Sequence, residues 1–296
     1  MTAKKKKITI GGVAIDLVFI ALCATCLIPI LMVAAVSFTT EADIMAHGYR
    51  LFPEHLTLEG YEVIFKNPKS IMTGYRVTIL TTVIGAPLGV LINAMFAYTQ
   101  SRKDFKFRRP LSLYMTFTML FSGGLVPTYI MITQYLKLGN TLAVLIVPGL
   151  VNVWYIFLLK FFFDTIPATL VEAAKLDGAG EMMIFFRIML PLARTGLVTI
   201  LLFFTLAYWG AWQGSLYYIT DDSKYQLQYM LQRMMNNIDF VTQHISEMPE
   251  GMSLKDLPKE STRMAMCLLT AGPMLVIFPF FQKYFVQGIT VGAVKG

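Results

Sequence analysis

Three histidines and three cysteines are the obvious places to look for metal or nucleophilic chemistry in this 296-residue chain. His47, His55 and His244 stand without partners at ligand spacing, so metal binding is not expected. Cys23 and Cys26 share a helix face at (i, i+3) and Cys267 lies in another apolar run, where all three read as packing residues. No Ser-His-Asp grouping and no pair of carboxylates falls on a common face. The sequence contains no Gly-Lys dipeptide, and so no phosphate-cradling loop. These residues point away from an enzyme. What remains is recognition chemistry. Asn93, Asn152, Trp154, Tyr155, Tyr208, Trp209, Trp212 and Gln213 offer aromatic faces and amides inside apolar sequence. The aromatics fit lipid-interface anchoring or bundle core as readily as a ligand. The amides Asn93, Asn152 and Gln213 are better candidates, because an amide at membrane depth must find partners.

The elements that would position these residues are membrane spans. The chain is 56% hydrophobic and 15% charged, against about 25% charged in ordinary soluble domains. That composition excludes disorder, a collagen-like fibre and a disulfide scaffold. A crossing helix needs about 20 apolar residues, since each adds about 1.5 Å across about 30 Å of hydrocarbon. Six runs qualify: Ile8 to Thr40, Val77 to Gln100, Leu111 to Tyr135, Leu138 to Leu159, Thr195 to Tyr218 and Met264 to Gln282. The first follows Lys4 to Lys7 but is too long for a signal h-region and lacks a small-x-small cleavage site, so it reads as an uncleaved span.

The net charge of +7 could signal nucleic acid, an acidic ligand or a membrane surface. Its distribution decides. With the N-terminus inside, the inner segments hold 15 of the 25 Lys and Arg residues, including the Arg102 to Arg109 cluster, and net +10, whereas the outer segments net −2. The positive-inside rule then puts both termini in the cytoplasm. The expected organisation is a basic N-terminus (1–7), a six-span domain (8–282) with external loops 41–76 and 219–263, and a cytoplasmic tail (283–296).

Several spans are interrupted. Gly85-x-x-x-Gly89 with Pro87 lies in the second, Gly123-Gly124 and Pro127 in the third, Pro148-Gly149 in the fourth, and Gly272-Pro273 with Pro279 in the sixth. Small residues at that spacing let helices approach closely. Broken backbone at membrane depth requires protein or a water-filled cavity to satisfy it. Kinks in a bundle and the lining of a pathway are both open readings.

The long inner connection, 164–194, is the most informative stretch. Asp164 and Thr165 are cap candidates before Pro167, and a helix is expected over Ala168 to Asp177. Glu172 and Lys175 form an (i, i+3) pair on it, and Gly178 suits a left-handed terminus. A second amphipathic helix runs from Glu181 to Leu190, with Pro191 as its stop. Two short helices at a small-residue elbow make either a knob for a partner's groove or an interfacial hairpin.

The residue types at fixed spacing add more. Glu172-Ala173-Ala174, then three residues, Gly178, then nine residues, Ile188-Met189-Leu190-Pro191 resemble the signature loop of type I ABC-importer permeases. Leu138-Gly139-Asn140-Thr141 followed by Ile146-Val147-Pro148 resembles the external turn and fourth span of their carbohydrate-uptake branch, and Ile166-Pro167 its lead-in to the loop. The tail from Phe285 to Gly296 resembles the ending of maltose-transporter-type permeases. One departure is Trp212-Gln213, where many members have Trp-Asn. Together with the long stretch from Asp221 to Arg263, which carries Gln226, Gln228 and Gln232 before Met234-Met235, it resembles the branch handling oligo- or polysaccharide fragments.

The resemblance implies an all-α membrane protein of six transmembrane helices with a cytoplasmic coupling-helix loop between helices 4 and 5. It implies a transport subunit, not an enzyme, in a bacterial cell membrane. Glu172, Ala173, Ala174, Asp177 and Gly178 would meet a separate ATPase subunit, with Ile188, Leu190 and Pro191 fixing the second helix, and the tail would reach toward the same ATPase. No cofactor is expected on this chain, since ATP and Mg would sit on two copies of that ATPase. A second homologous permease subunit, as a heterodimer, and an extracellular solute-binding protein carrying a carbohydrate complete the set; nucleic acid is not expected. The alternatives are the same machinery importing a polyol or glycerol-phosphate ester, or an ATP-independent secondary carrier. Against the carrier, no internal repeat is evident and no intramembrane acid beyond Asp16 offers a relay.

Overall fold

A computed structural model describes residues 10–66, 68–243 and 259–293. Lys4 to Lys7, His244 and the side chains of the tail from Phe285 lie outside the described residues. The described chain is helical, and no strand occurs among its residues beyond an isolated Thr39–Leu56 bridge. It divides into two units, residues 1–68 with 234–272 and residues 69–233 with 273–296.

The first unit opens with α1 (Ile10–Ser37), apolar on every side and exposed along most of its length, as a helix facing lipid must be. Two short helices follow, α2 (Glu41–His47) and α3 (Glu59–Phe65). The buried Glu41 carboxylate accepts from the backbone N–H of Glu260 at 3.1 Å and of Ser261 at 3.4 Å. It thereby caps α14 (Glu260–Ala293), where orphan N–H groups and the helix dipole both favour an anion. Burial pushes its acidity the other way, raising the Glu41 pKa. Gly60 of α3 lies so close to Ser261 that a Cβ would meet its carbonyl carbon at 2.8 Å.

The second unit is built around α4 (Pro68–Ser101), which runs unbroken through Pro87. After it come α5 (Arg108–Leu120) and α6 (Leu125–Ile130). Gly124, at φ +85°, sits in the bend between them, and the α6 line continues through a π-helical turn at Met131–Tyr135. Two 3₁₀ turns (Leu142–Leu145, Val147–Gly149) precede α7 (Val153–Asp164). The inner connection forms α8 (Ala168–Leu176), α9 (Glu181–Ile184), a π turn at Phe185–Met189 and α10 (Leu190–Leu192). Next are α11 (Arg194–Trp209), α12 (Gln213–Tyr218) and α13 (Leu227–Gln243).

Three helices are each long and apolar enough to cross a membrane: α1, α4 and the Glu260–Gln282 part of α14. Three more candidates are pairs bent by 112°, 50° and 83°. The expected third and fourth spans are bent pairs of this kind. The expected fifth span, Thr195 to Tyr218, is instead interrupted, because α11 stops at Trp209 and α12 starts at Gln213.

Glycines in α4 explain the packing of this unit. A Cβ on Gly85 would lie 2.6 Å from the Tyr208 ring, and one on Gly89 would lie 2.8 Å from the Phe204 ring. Two glycines four apart thus form a groove that receives two α11 aromatics, also four apart.

Candidate functional site

Two places concentrate the expected functional residues, a cavity within the second unit and the α8–α9 elbow. The cavity holds about 690 Å³ and is lined by parts of both interrupted segments: Pro148, Gly149 and Asn152 on one side, Gly210 to Gly214 on the other. No lining residue is Asp, Glu, Lys or Arg. Of the eight recognition candidates, Asn152, Tyr155, Tyr208, Trp212 and Gln213 line it. Tyr208 is fixed there, since its hydroxyl donates to the Ile146 carbonyl at 2.8 Å while its ring fills the Gly85 position.

Asn93, Trp154 and Trp209 are not among the lining residues. Asn93 is fully buried and held by main chain on all sides. Its amide nitrogen donates to the carbonyls of Gly89 and Leu150 at 2.6 Å each, and its oxygen accepts from the Asn152 N–H at 2.9 Å. The amide therefore satisfies the backbone break at residues 150–152, which the 3₁₀-to-α change leaves open. Asn152 repeats the device one step on, capping α7 by accepting from Trp154 N and Tyr155 N. Trp209 packs near Tyr75, with ring centroids 6.4 Å apart, and Trp154 is half-exposed near Phe203. Thr128, Tyr217, Tyr218 and Gln226 line the cavity without having been singled out for it by sequence. Tyr217-Tyr218, starting four residues after Gln213, was the available signal. Gln226 is committed to structure, bonded to Ser215 and to Thr81.

The elbow departs from expectation in local ways. Pro167 is the cap of α8, not its first residue, and neither Asp164 nor Thr165 caps the helix. Gly178 has φ +82° with open space around it, the left-handed terminus that a Cβ disfavours. Pro191 does not stop the second helix, which continues to Leu192. The reason is the π turn before it: Leu190 N–H donates to the Phe185 carbonyl five residues back, and Pro191, having no N–H, follows in the re-phased turn. Glu172, Ala173, Asp177 and Gly178 are exposed together, while Ala174 faces the core beside Val171. Ile188 and Leu190 are half-buried against that core. Leu176, at the tip, is 90% exposed.

Lys175 does not pair with Glu172 as (i, i+3) spacing suggested. Its ammonium instead meets Glu181 at 2.7 Å and Asp104 at 2.8 Å. Arg102 pairs with Asp104 at 2.9 Å and lies over the Tyr98 ring, and the Tyr98 hydroxyl donates to Glu181. Hydrogen bonds from Lys175 and then Arg102 hold the Asp104 carboxyl down at about 2. Asp104 and Glu181 in turn raise the Lys175 pKa. Glu181 lies below its usual value although burial opposes this, because Lys175 and Tyr98 bond to its charged form.

Two further expectations concern the outer loops. Asn140, at φ +56°, accepts from the N–H groups of Thr220 and Asp221 at 3.2 Å each, which ties the Leu138–Thr141 turn to the end of α12. Asp43, His47 and Glu54 form the one metal-compatible group among the described residues. That group is internally spent: His47 bonds Asp43 at 2.7 Å and Arg50 pairs with Glu54 at 2.9 Å.

Residues 85–291 match the family of binding-protein-dependent transport system inner membrane components. The chain belongs to this family. Among its relatives is the polygalacturonan/rhamnogalacturonan transport system permease YtcP of Bacillus subtilis, 34% identical over 92% of this chain and 93% of that one. The protein LplC of the same organism is 32% identical over 92% and 90%. The arabinooligosaccharides transport permease AraQ of Halalkalibacterium halodurans is 27% identical along both whole chains. The fold matches a chain of a bacterial ABC transporter that imports the acidic polysaccharide alginate, with a TM-score of 0.78 and 22% identity over 96% of this chain and 100% of that one. This family member is thus an inner-membrane permease component of an ABC-type transport system, with the expected all-helical permease fold.

Proposed function

We propose that this chain passes a carbohydrate, an oligosaccharide or polysaccharide fragment, across the cell membrane as one of two homologous permease subunits. The cavity carries this reading. Tyr155, Tyr208, Trp212, Tyr217 and Tyr218 offer flat faces for sugar C–H surfaces, and Asn152 and Gln213 bring amides among them. The polygalacturonan/rhamnogalacturonan and arabinooligosaccharides for which YtcP and AraQ are named belong to the same chemical class. A solute-binding protein delivers the sugar from outside, and the exposed Glu172, Ala173, Leu176, Asp177 and Gly178 surface seats in one of two ATPase subunits. ATP and Mg bind there and not on this chain, which is itself no enzyme. Six spans with both termini inside would accord with the charge distribution, and the three bent pairs leave room for up to three crossings beyond the three long helices. ATP binding would tip the permease pair between inward- and outward-facing states through differential affinity.

Uptake of labelled oligosaccharides by reconstituted vesicles tests this. The expected result is uptake abolished by a catalytically dead ATPase subunit and insensitive to collapse of ion gradients. Uptake that survives the dead ATPase but stops with the gradient would overturn the reading in favour of a secondary carrier.

A further inference from the structure

We infer that Tyr98, Arg102, Asp104, Lys175 and Glu181 form a brace that makes the α8–α9 elbow and the inner end of α4 move as one body. The inference rests on the functional reading above and adds to it the route by which the elbow's motion reaches the cavity.

The brace joins the α8–α9 elbow to the end of α4, 71 to 83 residues earlier in the chain. Lys175 belongs to the last turn of α8 and Glu181 to the first of α9, so their 2.7 Å pair closes the elbow across Gly178. Tyr98 lies in the last turn of α4, and Arg102 and Asp104 lie just beyond it. A lone surface ion pair holds little, with a typical contribution of about 0.2–1 kcal/mol. Here each group serves several partners: Lys175 bonds both acids, Asp104 both bases, and Glu181 accepts from Tyr98 and Lys175 with Arg102 at 4.0 Å. The Tyr98 ring beneath them is buried and packs on Phe163 of α7 and Phe185 of the π turn, with centroids 6.4 Å and 5.4 Å away. Side-chain entropy has been lost already in this packing, so the network resists shear better than separate exposed pairs would.

Further along α4, the same helix holds both interrupted segments. Asn93 bonds the main chain at Leu150 and Asn152, and Gly85 and Gly89 seat Tyr208 and Phe204. A displacement of the elbow that carries α4 with it therefore shifts both walls of the cavity together. Packed elements of this sort move between discrete arrangements and do not bend continuously. Tyr98, Arg102, Asp104, Lys175 and Glu181 are thus positioning residues, acting on the cavity through α4.

The test uses the complete reconstituted transporter with spin labels on half-buried Thr99 of α4 and exposed Met183 of α9. A second pair places labels on Met183 and on the ATPase subunit. Distances are read without nucleotide and after trapping with ATP and vanadate. The expected result is a Thr99–Met183 distance unchanged within about 1 Å while the uptake assay remains ATP-driven. A change of several ångströms between the two states would overturn the brace and leave the permease reading intact. Absence of any proximity between Met183 and the ATPase would overturn the permease reading and the brace with it. The variants Lys175→Gln and Tyr98→Phe supply the functional arm. They should assemble normally and keep basal ATP hydrolysis, yet lose at least about fivefold in sugar transported per ATP hydrolysed, the lower end of ordinary coupling effects. The charge-retaining Lys175→Arg should restore most of it. Equal loss of assembly, hydrolysis and uptake in all three variants would mark a merely structural cluster and overturn the proposal.

Discussion

The cavity and the elbow solve opposite problems with different chemistry. At the cavity the helical backbone is broken, and neutral groups repair it: Asn93 and Asn152 bond main-chain groups, and glycines admit aromatic rings. No Asp, Glu, Lys or Arg lines it. At the elbow the backbone turns sharply at an exposed surface, and charged side chains from three segments fasten it. The lesson is that the two regions should fail differently. Damage at the cavity wall should unfold the permease, whereas damage at the elbow should uncouple it.

The largest effect is expected at the groove. Gly85→Leu or Gly89→Leu must displace the Tyr208 or Phe204 ring, and overpacking of this severity costs about 3 kcal/mol or more. Purified protein should melt far lower in a detergent thermal-shift assay, and an unchanged melting profile would break the contrast. Slightly smaller is Asn93→Leu, which strips the Leu150 carbonyl and the Asn152 N–H of their partner at a cost of about 3 kcal/mol. Elbow variants come next and change a different readout. Glu172→Lys or Gly178→Leu should leave melting within about 1 kcal/mol, since Gly178 has open space around it and only its positive φ resists a side chain. They should nevertheless cut stimulation of ATP hydrolysis by loaded binding protein about tenfold. Tyr208→Phe should cost only about 1 kcal/mol, the single hydrogen bond to Ile146.

The smallest expected effect is that of pH on the brace. Asp104 has a pKa lowered to about 2, so its stabilisation is complete above the unfolded carboxylate value of about 4 and lost only as pH falls toward 2. The Lys175 pKa is raised, so its contribution persists below the unfolded value and fades only at higher pH, beyond it. Coupling efficiency should therefore be flat between about pH 5 and 9, as read by sugar transported per ATP hydrolysed. A step near neutrality would show that some other group governs the elbow.

Sequence carried the all-helical architecture, because apolar runs of membrane length are long-range averages that local detail cannot hide. The elbow was legible too, through Pro167, Gly178 and the Glu172–Pro191 spacing, although Pro191 passes inside its helix by means of a π turn that no periodicity reveals. Pairing across space was not legible. Lys175 had Glu172 at helical spacing but took Asp104, 71 residues away, and Glu181. Asn93 was identified as an amide that must find partners, and it did, in the main chain of Gly89, Leu150 and Asn152. The same limit hid Leu176, whose apolar type suggests burial while its place at the tip exposes it.

That exposed leucine gives the most direct test of the central claim, that the elbow is the surface which meets the ATPase. A photo-crosslinking amino acid is placed at Leu176 in membranes containing the whole transporter, with another at exposed Leu113 of α5 as the control. A specific adduct between position 176 and the ATPase subunit is expected, and none from position 113. Adducts from 113 with none from 176 would contradict it.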